Sequence, residues 1–325
     1  MITSKTPYRI SFFGGGSDLE SYYEKNTGYV ISTSIDKYIY LSINKKYEKS
    51  IRVNYSKTEN VNNVSEIKHD IVREVLKYFE LTSYLDITCV GELPSNGTGL
   101  GSSSAFTVGL ISALNKYLRL KLSTHEIANL ACHVEIEILG KCIGKQDQYA
   151  SAFGGFNEII FEKDGNVLVN PLNVSKDLIA HLQNNLLLLD TKNPRNAEDI
   201  LVKQSDNIKK SSNVSDNLSK MIDLAKNFKD MLQKNDIDNV GYLLHESWIL
   251  KKNLSDSISS NHIDQMYDFC MSLGAEGGKL LGAGGGGFLL IYAKPDIKKK
   301  IKNFFSDYNP SDIKINTNGT IAKYI

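Results

Sequence analysis

Apolar and polar positions alternate through the first half of the chain in a way that separates strands from helices. In residues 36–44, DKYIYLSIN, Ile39, Leu41 and Ile43 alternate with Tyr38, Tyr40 and Ser42. A period of two predicts a strand with one buried face. Residues 9–13 and 85–90 are apolar runs of strand length, the first closed by Gly14-Gly15-Gly16. Residues 50–55 are expected as the hairpin partner of 36–44. Ile67, Ile71, Val72, Val75, Leu76 and Phe79 recur at helical spacing. A polar, Gly-rich stretch at 92–104 leads into an apolar helix at 105–118. Ser123-Thr124-His125-Glu126 has the form of a capping box and opens another helix to about Leu139.

The second half is patterned differently. Residues 157–161 and 166–169 read as a hairpin, and 186–190 as a buried strand. Residues 206–253 are Lys/Asn-rich and mostly helical, with no Gly or Pro between Asn196 and Val240. A helix at 263–273 is followed by the run GAEGGKLLGAGGGG, a strand at 288–292 and an amphipathic helix at 298–305. Segments 313–316 and 320–324 close the chain. A boundary near 173–184 divides it into parts 1–178 and 179–325.

Length agrees with that division, since 325 residues at ~150 per domain make about two. With 41% hydrophobic residues the chain can bury a sizeable core, which excludes wholesale disorder. Lys+Arg (38) and Asp+Glu (37) nearly balance, which argues against nucleic acid as a main partner. The longest apolar runs, 186–189 and 288–293, fall far short of the ~20 residues of a membrane-spanning helix. No signal peptide is expected from the polar start, and four scattered cysteines without a CxxC fit a reduced, cytoplasmic protein. Arginine is scarce: Arg9, Arg52, Arg73, Arg119 and Arg195 are the five. Where the chain keeps Arg over Lys, a planar bidentate donor is a candidate reason.

Three segments are denser in glycine than ordinary turns: PYRISFFGGGSD (7–18), PSNGTGLGSSSA (94–105) and GKLLGAGGGG (278–287). The second carries the most chemistry. Gly97, Gly99 and Gly101 allow close backbone approach, and Ser102, Ser103 and Ser104 open a helix whose free N–H groups and positive dipole end favour phosphate. The plain alternative is a Gly-rich turn with a Ser cap. Better-known phosphate motifs fail. The stretch from Gly140 to Gln146 is one residue short of a Walker A loop and lacks its final hydroxyl, and a dinucleotide GxGxxG would need Gly where Ser102 stands.

The three loops, in this order, resemble those of the GHMP small-molecule kinases from about Pro7 to Gly287. Within that family the nearest match is the sugar branch that phosphorylates the anomeric carbon of heptose phosphates. The resemblance implies an α+β fold in two parts. The N-terminal part would have a mixed sheet with helices, like domain 2 of ribosomal protein S5, and the C-terminal part would be ferredoxin-like with strands at 186–190, 288–292 and 313–316. It implies ATP and Mg²⁺ as cofactors and a small sugar phosphate as the partner, with neither membrane nor nucleic acid. Oligomeric state is open, a homodimer being one option.

Residue by residue, Pro7-Tyr8-Arg9-Ile10 opens the family's sugar-binding motif and Asp18 closes it. The resemblance assigns substrate contacts to Gly14, Gly15, Gly16, Ser17 and Asp18, and places Arg9 beside the catalytic carboxylate. Galactokinases have Glu-His where this chain has Gly15-Gly16, a departure that disfavours galactose. The second loop implies nucleotide contacts from Gly97, Gly99, Leu100, Gly101, Ser102, Ser103 and Ser104, although Pro94 lies one residue off the family spacing. Mg²⁺ falls to Ser103, with Ser102 as a one-residue alternative, and to Glu135 rather than Glu137. Asp147-Gln148 matches the Asp-Gln of the sugar kinases, with Asp147 as catalytic base. Gly284 and Gly285 of the third loop are expected near substrate and phosphates. Arg195, with Lys192 as helper, is the candidate for a second phosphate on the substrate. Rival readings are a kinase for fucose or another free sugar, a mevalonate-pathway kinase, and a non-catalytic ATP/sugar sensor.

Overall fold

A long bent hairpin organises the molecule. The structure, a computed structural model, describes residues 1–94, 97–193 and 197–325. β1 (Ile2–Phe13) and β2 (Gly28–Lys45) run antiparallel, joined through the first glycine loop and a short helix, α1 (Glu20–Tyr23). Then come β3 (Ile51–Asn54), β4 (Thr58–Val61), α2 (Asp70–Tyr78) and β5 (Leu85–Gly91). Next are α3 (Ser102–Tyr117), α4 (Thr124–Cys132), a π-helical turn at His133–Ile138, α5 (Gln146–Phe153), β6 (Phe156–Phe161) and β7 (Val167–Pro171). β2 is long enough to serve two neighbours on one edge: residues 28–33 pair with β6 and 39–45 with β5.

The chain continues through α6 (Lys176–Asn185), β8 (Leu186–Asp190), α7 (Ala197–Lys210), α8 (Ser212–Lys234), α9 (Val240–Lys252) and α10 (Asn261–Ser272). It ends with β9 (Gly277–Leu280), β10 (Phe288–Tyr292), α11 (Pro295–Phe304), β11 (Ser311–Asp312), β12 (Ile315–Asn316) and β13 (Ile321–Tyr324). A second sheet has the order β11-β8-β10-β9, all antiparallel. The unbroken apolar runs of β8 and β10 fit this place, because nearly every residue of both is buried.

Two expectations are corrected. The segment at 50–55 does form a strand, but its partners are β4 and, in parallel, β5 rather than β2. β5 enters between β2 and β3 and takes the hydrogen bonds a hairpin would have used; the guanidinium of Arg52 then pairs with Asp86 across the parallel ladder. The segment at 313–316 does not extend the second sheet. Only Ile315–Asn316 is extended, and it pairs with β2, while β11 takes the place beside β8. β13 pairs with β1, so the end of the chain returns to the first sheet. The turn between β12 and β13 closes over the end of α5: Thr320 N–H donates to Ala152 O at 3.1 Å, and Gly155 N–H to Asn316 O at 3.2 Å.

α3 is apolar nearly all round because it is enclosed nearly all round, by β1 and β2 on one side and by α4 and α5 on the other. The capping box expected at Ser123 is present, with Ser123 and Glu126 exchanging side-chain and backbone bonds. Among the described residues, no helix is long and apolar enough to cross a membrane.

Candidate active site

The N-terminal ends of α3 and α5 meet strand β1 at a cavity of about 500 Å³. Arg9 is the fastener. Its backbone N–H donates to Leu100 O at 3.1 Å, tying β1 to the second loop. Its guanidinium bridges two elements: Nε and Nη2 reach Asp147 Oδ1 at 2.7 and 2.5 Å, and Nη1 donates to Gly99 O at 2.6 Å. Arg9 is only 2% exposed. A buried cation needs such partners, and five fixed donors suit a carboxylate and a carbonyl together.

The second loop reaches α3 through left-handed backbone at Gly97, Gly99 and Gly101, with φ of +75°, +75° and +77°. Gly101 is the residue before the helix, and no side chain caps it. The leading N–H groups of a 16-residue helix, with the positive end of its dipole, therefore meet the cavity at Gly101–Ser104. Two of the three serines divide the work. Ser102 Oγ bonds Thr98 Oγ1 at 2.7 Å and steadies the loop, whereas Ser103 Oγ donates to Glu135 Oε1 at 2.8 Å.

Glu135 is fully buried in the π-helical turn, and its other oxygen accepts from Gln148 Nε2 at 2.8 Å. Burial pushes its carboxyl up; the bonds from Ser103 and Gln148 oppose that rise. Glu137, two residues on, turns to solvent and pairs with His133 at 2.7 Å. Asp18 is buried and also lines the cavity. It accepts from Gly16 N–H (2.8 Å), Gln146 N–H (3.2 Å) and Gln146 Nε2 (3.0 Å). Its carboxyl is pushed up by burial first and by the charge of Asp147 second.

The third loop lies against the second, with Phe288 N–H donating to Thr98 O at 3.0 Å. Lys251 from α9 donates to Leu280 O (2.8 Å) and Gly282 O (2.6 Å), fixing the entry of that loop. Lys279 is buried beside Arg9 and donates to Phe12 O at 2.8 Å; burial, then Arg9, pull its pKa down to about 7.

The cavity thus gathers Arg9, Gly15, Gly16, Asp18, Gly97, Gly99, Gly101, Ser102, Ser103, Ser104, Glu135 and Asp147 from four separated segments. Other expected residues lie outside its lining. Leu100 is core. Ser17 Oγ donates to Gly14 O at 2.7 Å and accepts from Tyr29 N–H at 2.9 Å, so Gly14 and Ser17 build the turn. Gly285 N–H donates to Ile258 O at 2.7 Å, anchoring Gly284 and Gly285 beside the 258 region. Arg195 lies outside the described residues. Sequence reasoning did not single out Ser11, Lys141, Gln146, Gln204 and Lys251, which line the cavity. In a chain so rich in lysine, nothing marked Lys141 or Lys251. Lys279 did stand at the head of a glycine loop.

An uncapped helix start, a glycine cradle and an Arg-held carboxylate around one cavity define a phosphotransferase site, and comparison gives the class. The GHMP kinases N terminal domain matches residues 66–155 and the GHMP kinases C terminal domain residues 221–311. The chain belongs to the GHMP kinase family. It is 33% identical over 315 residues to the D-glycero-alpha-D-manno-heptose 7-phosphate kinase of Campylobacter jejuni, covering 91% of each chain. It is 30% identical over 342 residues to a galactokinase of Pyrococcus furiosus, covering 92% of this chain and 91% of that one. The crystal structure of a D-glycero-D-manno-heptose 1-phosphate kinase from Bacteroides thetaiotaomicron superposes with a TM-score of 0.79 at 26% identity, over 100% of this chain and 99% of that one.

Proposed function

We propose that the protein transfers the γ-phosphate of ATP to the anomeric C1 hydroxyl of a heptose 7-phosphate. One observation carries the chemistry: the Arg9–Asp147 pair and the uncapped start of α3 share one cavity. The choice of sugar is supported by the heptose kinase that the chain resembles over nearly its whole length. Four free cysteines suit the reducing cytoplasm, where ATP is at hand.

Phosphoryl transfer needs in-line placement and charge neutralisation more than covalent chemistry from the protein. The Gly97–Ser104 loop and the start of α3 hold the ATP phosphates by backbone N–H groups. Asp147 orients the acceptor hydroxyl and takes its proton. Arg9 stops Asp147 turning away, because two of its nitrogens grip the same carboxylate oxygen. Asp18 and Gly16 accept and position sugar hydroxyls.

A divalent cation suits the residues at Ser103. A buried carboxylate held by one hydroxyl and one amide supplies, with that hydroxyl, the hard oxygens that Mg²⁺ prefers. Among the described residues no three His, Cys, Asp or Glu gather for a metal. Ser103 and Glu135 would therefore hold the ion together with phosphate oxygens and water. When bound, it supplies positive charge to the phosphates.

The test is ADP release over a panel of heptose 7-phosphate, hexose phosphates and the free sugars, in wild type and in Arg195→Ala. Preferred turnover of heptose 7-phosphate, with a new anomeric ³¹P signal in the product, is expected. Equal or better turnover of free fucose or galactose would overturn the substrate. An unchanged KM for the phosphorylated sugar in the variant would remove Arg195 as its anchor.

A further inference from the structure

Among the described residues, the lysines and arginines that line the cavity are Arg9, Lys141, Lys251 and Lys279. Three of them are held inside the protein. The Arg9 guanidinium is divided between Asp147 and Gly99 O. Lys251 is buried and donates to Leu280 O and Gly282 O, and Lys279 is buried and donates to Phe12 O. Lys141 differs. Its side chain is 21% exposed, and its ion-pair partner at 3.3 Å is Asp70 Oδ2, on a side chain 44% exposed. Exposed pairs of this kind hold weakly, so the ammonium can exchange its carboxylate for a stronger anion. Asp70 does not depend on the lysine, because its other oxygen accepts from Ile71 N–H at 2.7 Å, at the start of α2.

The surroundings of Lys141 select the anion. Its backbone N–H donates to Glu135 O at 3.1 Å, tying it to the π-helical turn whose carboxylate meets Ser103. Burial raises the Glu135 carboxyl; the bonds from Ser103 and Gln148, and after them the charge of Lys141, oppose that rise. α2, which begins at Asp70, packs against both α3 and the π-helical turn. Lys141 thus belongs to the part of the cavity where the second loop opens α3. Phosphates laid along that helix start carry more charge than one carboxylate and accept charge-assisted bonds from an ammonium.

We propose that Lys141 is a nucleotide-phosphate contact: it leaves Asp70 when ATP enters and binds the terminal phosphates beside Glu135, while the Asp70 carboxylate competes with them for the ammonium. This rests on the kinase reading and adds to it a binding residue and its rival.

The test is calorimetric binding of ATP and of AMP, both with Mg²⁺ and without sugar, to wild type, Lys141→Met, Lys141→Arg and Asp70→Asn, with the KM for the sugar measured alongside. Lys141→Met keeps the apolar stem and removes the charge. It should weaken ATP about tenfold and leave AMP, which lacks the terminal phosphates, within about twofold. Lys141→Arg should recover most of the loss. Asp70→Asn still accepts from Ile71 N–H but no longer competes, and should tighten ATP about twofold. The Met and Asn variants lose the same surface ion pair, so a purely structural pair would move both in one direction. Weaker ATP in both, equal losses for ATP and AMP, or unchanged ATP affinity in Lys141→Met would overturn the assignment. A raised KM for the phosphorylated sugar alone would overturn it too, by giving Lys141 to the phosphate of the sugar. If wild type binds ATP but phosphorylates no sugar, the substrate reading falls while Lys141 is still judged. If wild type binds no nucleotide, both fall.

Discussion

Arg9 joins the second glycine loop to the Asp147 carboxylate, so at the residue scale position and charge are one property. Asp147→Asn keeps the shape and removes the proposed base. Its kcat should fall by about 10²–10⁴-fold, the usual share of general base catalysis. ATP affinity, measured by calorimetry, should stay within about threefold. Equal losses in both would mean that Asp147 serves binding instead. Lys279 supplies a pH signature. Its folded pKa of about 7 lies below the ordinary 10.5 of lysine, so between those values the unfolded chain binds more protons than the native one. This group's contribution to stability therefore rises with pH across that window, and below pH 7 the charged lysine is buried at full penalty. Lys279→Met should gain most in urea midpoint over wild type near pH 6.5, with the gain shrinking toward pH 9.5. A pH-independent difference would show that burial does not hold the amine neutral.

At the element scale the second loop is a set of left-handed turns locked under the third. A Cβ on Gly99 would meet Leu281 O at 2.5 Å, and the residue sits at φ +75°. Gly99→Ala should lower stability by about 1–3 kcal/mol from strain alone and raise the KM for ATP, read by thermal melts and steady-state kinetics. The glycines and serines of this loop, which the structure brings to the cavity lining, stood out because their density is a local feature of the sequence. The capping box at Ser123 was legible for the same reason, since four consecutive residues write it. The partner of β3 was not, because pairing is a contest between strands far apart in sequence. A short strand after β2 reads as its hairpin mate until β5 is known to lie between them. Glu135 and Glu137 were separable only in part from helical angle, and the π-helical turn that turns the first inward had no sequence mark.

On the scale of the whole molecule, the return of β12 and β13 to the first sheet binds the two parts of the chain into one folding unit. Unfolding in denaturant should give coincident transitions by far-UV circular dichroism and by the fluorescence of Trp248, the single tryptophan, which is fully buried in α9. Separate midpoints would show that the second sheet and its helices melt independently. That return was not visible in the sequence, because two-residue and four-residue strands carry too few alternations to declare a face. The apolar run 186–190, by contrast, announced the buried strand β8 that it forms.

The closure of the 317–320 turn over α5 has a consequence for reading variants. α5 is eight residues long, Ala152 lies about 7.5 Å along it from Asp147, and a Cβ on Gly319 would stand 2.0 Å from Ala152 O. Enlarging that distant surface glycine levers the rod at its far end. A substitution there would be scored as a broken catalyst, although the altered position does not line the cavity.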